Sequence, residues 1–162
     1  MPPSPAPLPA HGLVWERGSG SLHRLTERAY IDIVNPSSQA AERVSVGGSR
    51  FYPDLDLVEA EIATYPASTV ILTGATHGVD AAVRAAALRH HLELHVYSPR
   101  FEAYPTHTAA YFARNEELID DATRMVSFWD GISTGTAQAI EYAKSRGIPI
   151  SIRPPRAPLS SA

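Results

Sequence analysis

Residues 69–80 read TVILTGATHGVD. The β-branched, apolar run from Thr69 to Thr73 stops at Gly74. A small polar turn then leads straight into Val79, where an apolar period of helical spacing begins with Val79, Ala82, Val83, Ala86 and Ala87. A strand, a glycine turn and a helix in immediate succession predict a βα unit. The amides of its turn lie at the positive end of the helix.

The same pattern recurs on both sides. Upstream, Val44-Ser45-Val46 is a short strand ended by Gly47-Gly48, and Leu55, Val58, Ile62 and Tyr65 mark a helix closed by Pro66. Downstream, a strand from Leu92 to Tyr97 ends at Ser98-Pro99, and a helix runs from Thr108 to Asp120. A further strand, Arg124–Phe128, ends at Trp129-Asp130-Gly131. A helix from Gly135 to Ser145 stops at Gly147, and Ile148–Ile152 forms the last strand. Alternating strands and helices imply parallel βαβ units with helices on both faces. The expected fold is α/β, a Rossmann-like three-layer arrangement with a mainly parallel sheet of about five strands. It carries an N-terminal extension.

Composition sets the outer limits. A chain of 162 residues suits one domain and can bury roughly 70% of its unfolded surface. Residues 1–10 are proline-dominated and read as a disordered lead. Residues 11–42 form a poorly patterned extension, with a turn at Gly18–Ser21 and a short strand at Ala29–Val34 before Asn35-Pro36. The Rossmann domain spans 43–153, and 154–162 reads as a disordered tail. The net charge of -3 argues against nucleic acid as a partner. The absence of cysteine excludes disulfides, thiolate metal sites and a cysteine nucleophile. With no long apolar run and no signal-like N-terminus, a cytoplasmic chain without membrane association is expected.

Open α/β sheets bind ligands beyond the carboxyl ends of their strands, and three turns stand there. The first is Gly47-Gly48-Ser49-Arg50. Its glycines permit close backbone approach, Ser49 brings a hydroxyl, and Arg50 brings a fork suited to phosphate or carboxylate. The second runs from Gly74 through His77 and Gly78 to Asp80, where Asp80 either holds a ribose hydroxyl or stabilises the first helical turn. The third runs from Asp130-Gly131 through Ser133, Thr134, Gly135 and Thr136, whose amides and hydroxyls suit a phosphate cradle or, more simply, a helix N-cap. Neither a P-loop nor a dinucleotide GxGxxG is present. Arg114 and Asn115 lie in the helix 108–120. Either they point toward the ligand crevice as binding residues or, on the simpler reading, Arg114 is a surface residue paired with Glu117, Asp120 or Asp121. The seven histidines do not match metal-ligand spacings, so no metal is expected. There is no GxSxG elbow. No catalytic residue and no cofactor is assigned.

The stretch from about Val44 to Ile152 resembles the SLOG superfamily, the Rossmann-like group that includes Lonely-guy phosphoribohydrolases and the DNA-processing protein DprA. The resemblance is closest to its small bacterial YspA/YpsA-related branch. It rests on Gly48-Ser49-Arg50, Gly74 through Asp80, Arg114-Asn115, and Asp130-Gly131 with Gly135-Thr136-Ala137. It implies binding of nucleotides, nucleotide sugars or related signals. The chain departs from the Lonely-guy pattern PGGxGTxxE. The catalytic glutamate of that family, and that of the similar nucleoside deoxyribosyltransferases, would fall at Ala139, and Asn115 replaces the lysine of the family's arginine–lysine pair. Glycosidic cleavage needs a carboxylate at the oxocarbenium-like centre. Glu141 lies about 200° further round the helix. Asp80, Asp130, Glu116 and Glu117 are the substitutes an enzyme would need.

The expected function is therefore binding or sensing of a nucleotide or nucleotide-derived ligand. The alternatives are an N-glycosidic hydrolase or transferase and a DprA-like single-stranded DNA binder. A homodimer is a further expectation, with the alanine-rich helix at Ala81–Leu88 buried against either a partner or its own sheet.

Overall fold

The computed structural model describes residues 13–15, 22–24 and 41–157. Two compact units divide the chain at Ala40/Ala41. In the first, β1 (Leu13–Trp15) pairs antiparallel with β2 (Leu22–Arg24), Val14 opposite His23. The sequence reading did not anticipate this pair, because three-residue strands are too short to show a period. The proline-rich lead, the turn at Gly18–Ser21 and the strand expected at Ala29–Val34 lie outside the described residues.

The second unit holds the α/β domain. Its elements are β3 (Arg43–Gly48), α1 (Leu55–Ile62), β4 (Val70–Gly74), α2 (Val79–Arg89), β5 (Glu93–Tyr97), a 3-10 turn (Phe101–Ala103), α3 (His107–Asp120), β6 (Arg124–Phe128), α4 (Thr134–Arg146) and β7 (Ile150–Arg153). Five strands form one sheet in the order β5-β4-β3-β6-β7, with every neighbour parallel. The chain builds outward from β3 to β5, then returns through α3 to lay β6 against the other side of β3. The strand order thus reverses between β3 and β6.

Period-two alternation sorts each strand between two cores. Val44, Val46, Ile71, Val126 and Phe128 face α1 and α2, where Val58, Ile62, Val79 and Val83 meet them. Leu72 and Met125 face α3 and α4, where they meet Leu118, Ile119, Ile140 and Ala143. Three layers result, with β3 and β6 covered on both sides. The helix at Ala81–Leu88 is buried against its own sheet through Val83, Ala86 and Ala87, while Leu88 faces outward.

Element ends differ from the sequence reading for local reasons. The first helix stops at Ile62, but Tyr65 still packs on the core and donates to Glu61 at 2.8 Å. The last strand begins at Ile150 because Pro149 has no N–H; its carbonyl accepts from Met125 at 2.9 Å. Residues 154–157, read from sequence as tail, are held at the start of α1. Tyr52 donates to the Pro154 carbonyl at 2.9 Å, the Arg156 amide donates to Asp54 at 2.7 Å, and its guanidinium bonds Asp56 at 2.5 Å. No helix among the described residues is long and apolar enough to cross a membrane.

Candidate functional site

The alternation that sends Val44 and Val46 into one core turns Ser45 and Gly47 to the opposite face, toward α3 and α4. On β6, Met125 and Ser127 face the same way, with Gly47 level with Ser127. The centre of this face is therefore built from side chains too small to fill the space under α3. A cavity of about 500 Å³ remains there and opens at the carboxyl ends of β3, β4 and β6. It lies at the reversal of strand order, where open α/β sheets place ligands. Its inner wall carries Leu118, Ile119, Met125 and Ala139; polar groups gather toward the strand ends.

The rim is locked by Ser49 and Asp130. The Ser49 amide continues the β3–β6 ladder by donating to the Phe128 carbonyl at 2.9 Å. Its hydroxyl donates to Asp130 Oδ1 at 2.9 Å and accepts from the Asp130 amide at 3.2 Å. The same Oδ1 accepts from the amides of Ile132 and Ser133, each at 2.9 Å. Burial pushes the Asp130 carboxyl up, but the amides of Ser133 and Ile132 and the Ser49 hydroxyl outweigh it and hold it below its ordinary value. Ser133 is the N-cap of α4, accepting from the Thr136 amide at 3.4 Å and the Thr136 hydroxyl at 3.0 Å. The capping reading therefore holds for Ser133, whereas Thr134 stays exposed on the cavity wall.

The second turn is organised around Gly74. Arg84 reaches up from α2 to donate to the carbonyls of Gly74 at 2.6 Å and Thr76 at 3.1 Å. Asp80, in the first turn of α2, accepts from the Thr76 hydroxyl at 2.5 Å. Arg114 crosses from α3 to the same carboxylate, Nη1 to Oδ2 at 3.4 Å, and both side chains are about nine-tenths buried. This corrects the surface reading of Arg114. The helix presents it inward, and Glu117 pairs instead with Arg100. The contact is long for a charge-assisted bond, which is typically about 2.7–2.9 Å, and Arg114 Nε has no hydrogen-bond partner. Gly74 makes the approach possible: a Cβ there would stand 1.4 Å from Arg114 Nη1 and 2.2 Å from Asp80 Oδ2. Gly78, with φ +71, passes so close to Arg50 that a Cβ would meet the Arg50 carbonyl at 2.1 Å. The first and second turns therefore touch.

Of the residues singled out from sequence, Gly47, Gly48, Arg50, Gly74, Asp80, Arg114, Asn115, Asp130, Ser133, Thr134, Gly135 and Thr136 line this one cavity. Ser49 and Gly78 lie behind it as supports, Gly131 stands outside its wall, and His77 faces a neighbouring hollow. Asn115 bridges to α4 through the Gly135 carbonyl at 3.5 Å and Gln138 at 3.4 Å. The reading missed Thr108, Tyr111 and Phe112 of α3, as well as Ser45 and Ser127. The first three share a helical stripe with Asn115, and the two serines sit where strand alternation interrupts an apolar face. Those were the available signals. Asp80 and Asp130 are the carboxylates on the cavity wall, and both are engaged in the bonds above. Glu116 accepts from Gln138 at 3.2 Å, while Glu141 turns away to Lys144 at 2.6 Å. Among the described residues no group of His, Asp and Glu is placed to hold a metal.

The fold is similar to two solved structures of DNA processing protein A. One, DprA from Streptococcus pneumoniae, aligns with a TM-score of 0.61 and 18% identity over 74% of this chain and 52% of that one. The other, from Helicobacter pylori and described for its single-stranded DNA binding mode, aligns with a TM-score of 0.52 and 18% identity over 72% of this chain and 66% of that one. The chain thus spans about half of the first. At such identity the likeness speaks for the fold alone. No protein-family model and no curated protein matches the chain.

Two outcomes test this construction. Gly74→Ala forces its methyl into Arg114 and destabilises the domain by about 1–3 kcal/mol, measured by urea unfolding. Asp130→Asn keeps an acceptor but loses the charge, and costs about 1 kcal/mol at neutral pH. Because the folded carboxyl lies below the unfolded value, the wild-type advantage is complete well above 3.8 and fades as the pH falls through the lowered folded value. Unfolding curves of both proteins across that range should converge at the acid end.

Proposed function

We propose that the cavity binds a nucleotide or nucleotide-like ligand and holds it without turnover. The observation that carries this reading is Arg114. A buried guanidinium with one long contact to Asp80 and an unpartnered Nε lines a cavity that also holds the unpartnered Ser127 hydroxyl. Leaving a buried donor unsatisfied costs about 1–3 kcal/mol, and a ligand that brings an acceptor recovers it. Arg50 and the amino end of α4 add positive potential at the mouth. The inner apolar wall of Leu118, Ile119 and Met125 suits a flat, weakly polar ring.

The absence of turnover follows from the carboxylates. Asp130 is bound by two amides and a hydroxyl, Asp80 by Thr76 and Arg114, and Ala139, where the Lonely-guy resemblance would put the glutamate of glycosidic cleavage, lines the cavity. Each carboxylate is tied through one oxygen, Asp130 through Oδ1 and Asp80 through Oδ2, which holds it in the wall rather than against an oxocarbenium-like centre.

A second reading is single-stranded DNA binding, favoured by the fold shared with the Helicobacter pylori protein. It reopens the nucleic-acid partner that the net charge argued against. A local track suffices for such binding, and Arg50 stands beside Phe51, an aromatic ring 86% exposed at the cavity mouth.

A thermal-shift panel of nucleotides, nucleotide sugars and signalling nucleotides tests the first reading. A ligand at about a hundred times its Kd raises Tm by about 5–10 °C, and Arg50→Ala and Arg114→Met each remove most of that shift. No shift across the panel refutes the reading. For the second, fluorescence anisotropy of labelled oligodeoxynucleotides should show affinity that falls steeply with salt; salt-independent or absent binding excludes it.

A further inference from the structure

We infer that the ligand of this domain is made of two linked nucleotide units, one in the main cavity and one in a neighbouring hollow, with the linking phosphate at Arg50. The inference rests on the nucleotide reading of the main cavity and specifies its ligand class. Beyond the ends of β4 and β5 lies a second hollow of about 410 Å³, with His77, Ser98 and Phe101 on its wall. Both hollows fall within the roughly 300–1,000 Å³ range of small-molecule sites. They share Arg50, Thr76 and Tyr111, so the partition between them is one layer of side chains.

Among the described residues Arg50 is distinguished by its lack of a partner. Each other arginine among residues 41–157 bonds a carbonyl or a carboxylate: Arg43 with Asp121, Arg84 with Gly74, Arg89 with Glu59, Arg100 with Glu117, Arg114 with Asp80, Arg124 with Glu42, Arg146 with Asp120, Arg153 with Glu61, and Arg156 with Asp56. Among the described residues the Arg50 guanidinium has neither a hydrogen-bond acceptor nor an ion-pair partner, and it is exposed on the wall common to both hollows. A free planar fork between two sites is placed for a phosphate that joins two nucleotides, such as a phosphodiester.

The second hollow offers aromatic surface for a base. Phe101 stays 39% exposed, and its ring stands 4.5 Å from His107 and 5.5 Å from Tyr111 between centroids. Tyr111 in turn lies under the Arg114 guanidinium, 5.9 Å from its ring centroid. One aromatic residue thus borders both units. Stacking tolerates any base because every base has a π-face, and His77 on the wall of the same hollow adds donor and acceptor nitrogens.

The test is titration calorimetry of the whole chain with the four deoxynucleoside 5′-monophosphates and their 5′-phosphorylated homodinucleotides. The expected result is a dinucleotide that binds at least about tenfold more tightly than its mononucleotide, because the second contact is made intramolecularly. Phe101→Ala and, from the same hollow, His77→Ala should each return the dinucleotide toward mononucleotide affinity while changing the mononucleotide by less than about twofold. Thermal unfolding confirms that each variant is folded. Equal affinity of mono- and dinucleotide, or equal weakening of both by the two folded variants, overturns the inference and leaves the nucleotide reading standing. Binding of neither refutes both. A homopolymer dodecamer separates the sources. Affinity above the dinucleotide's, beyond the gain from multiple registers, identifies a strand; equal affinity identifies a free dinucleotide. Either result supports the two-unit ligand.

Discussion

One oxygen of Asp130 accepts hydrogen bonds from the Ser49 hydroxyl and from the amides of Ile132 and Ser133, and this convergence holds the mouth of the cavity in shape. The two loops it joins leave β3 and β6, adjacent strands that the chain reaches by opposite routes. Without a tie, each loop would be free to move away from the switch point. With it, Arg50 and Phe51 on one side and Ile132 and Thr134 on the other face a common opening. The negative charge of Asp130 is thereby spent on structure.

A second constraint runs through the core. Arg114, Asp80 and Thr76 bring α3, α2 and the β4 turn to one point, and the missing side chain of Gly74 admits them. Burying an ion pair generally gains little net stability, because desolvation offsets attraction. The pair here is long, and one guanidinium nitrogen is unpartnered. Its value is better understood as a positioned charge in a site kept partly unsatisfied. The same logic applies to Ser45 and Ser127, small polar residues on a sheet face where bulkier apolar ones would have packed shut the space under α3.

Much of the fold was readable from residue order. Apolar strand runs, three of them ended by glycine, alternating with helical periods placed all five parallel strands and the four helices of the second unit, with ends shifted by a few residues. The sequence also pointed to the carboxyl ends of β3, β4 and β6, because glycines and hydroxyls recur there. It preferred a surface pairing for Arg114 over the inward one. An arginine among acids three to seven residues further along a helix reads as a surface residue, and nothing local reports that the helix turns it toward Asp80. The 3-10 turn at Phe101 and the pairing of β1 with β2 were invisible because such short segments carry no period.

By itself, then, the sequence determined the class of fold and the end of the sheet at which glycines and polar groups gather, since both follow from local periodicity and from turn residues. Only the tertiary structure decided which polar groups are already consumed and which remain available. That Ser49 ties Asp130 from 81 positions away, that Arg114 is buried against Asp80, 34 positions away, and that Arg50, between two hollows, has no partner among the described residues are facts about contacts across the chain. Hydrogen-bond capacity is allotted in space, and no spacing along the chain encodes who reaches whom.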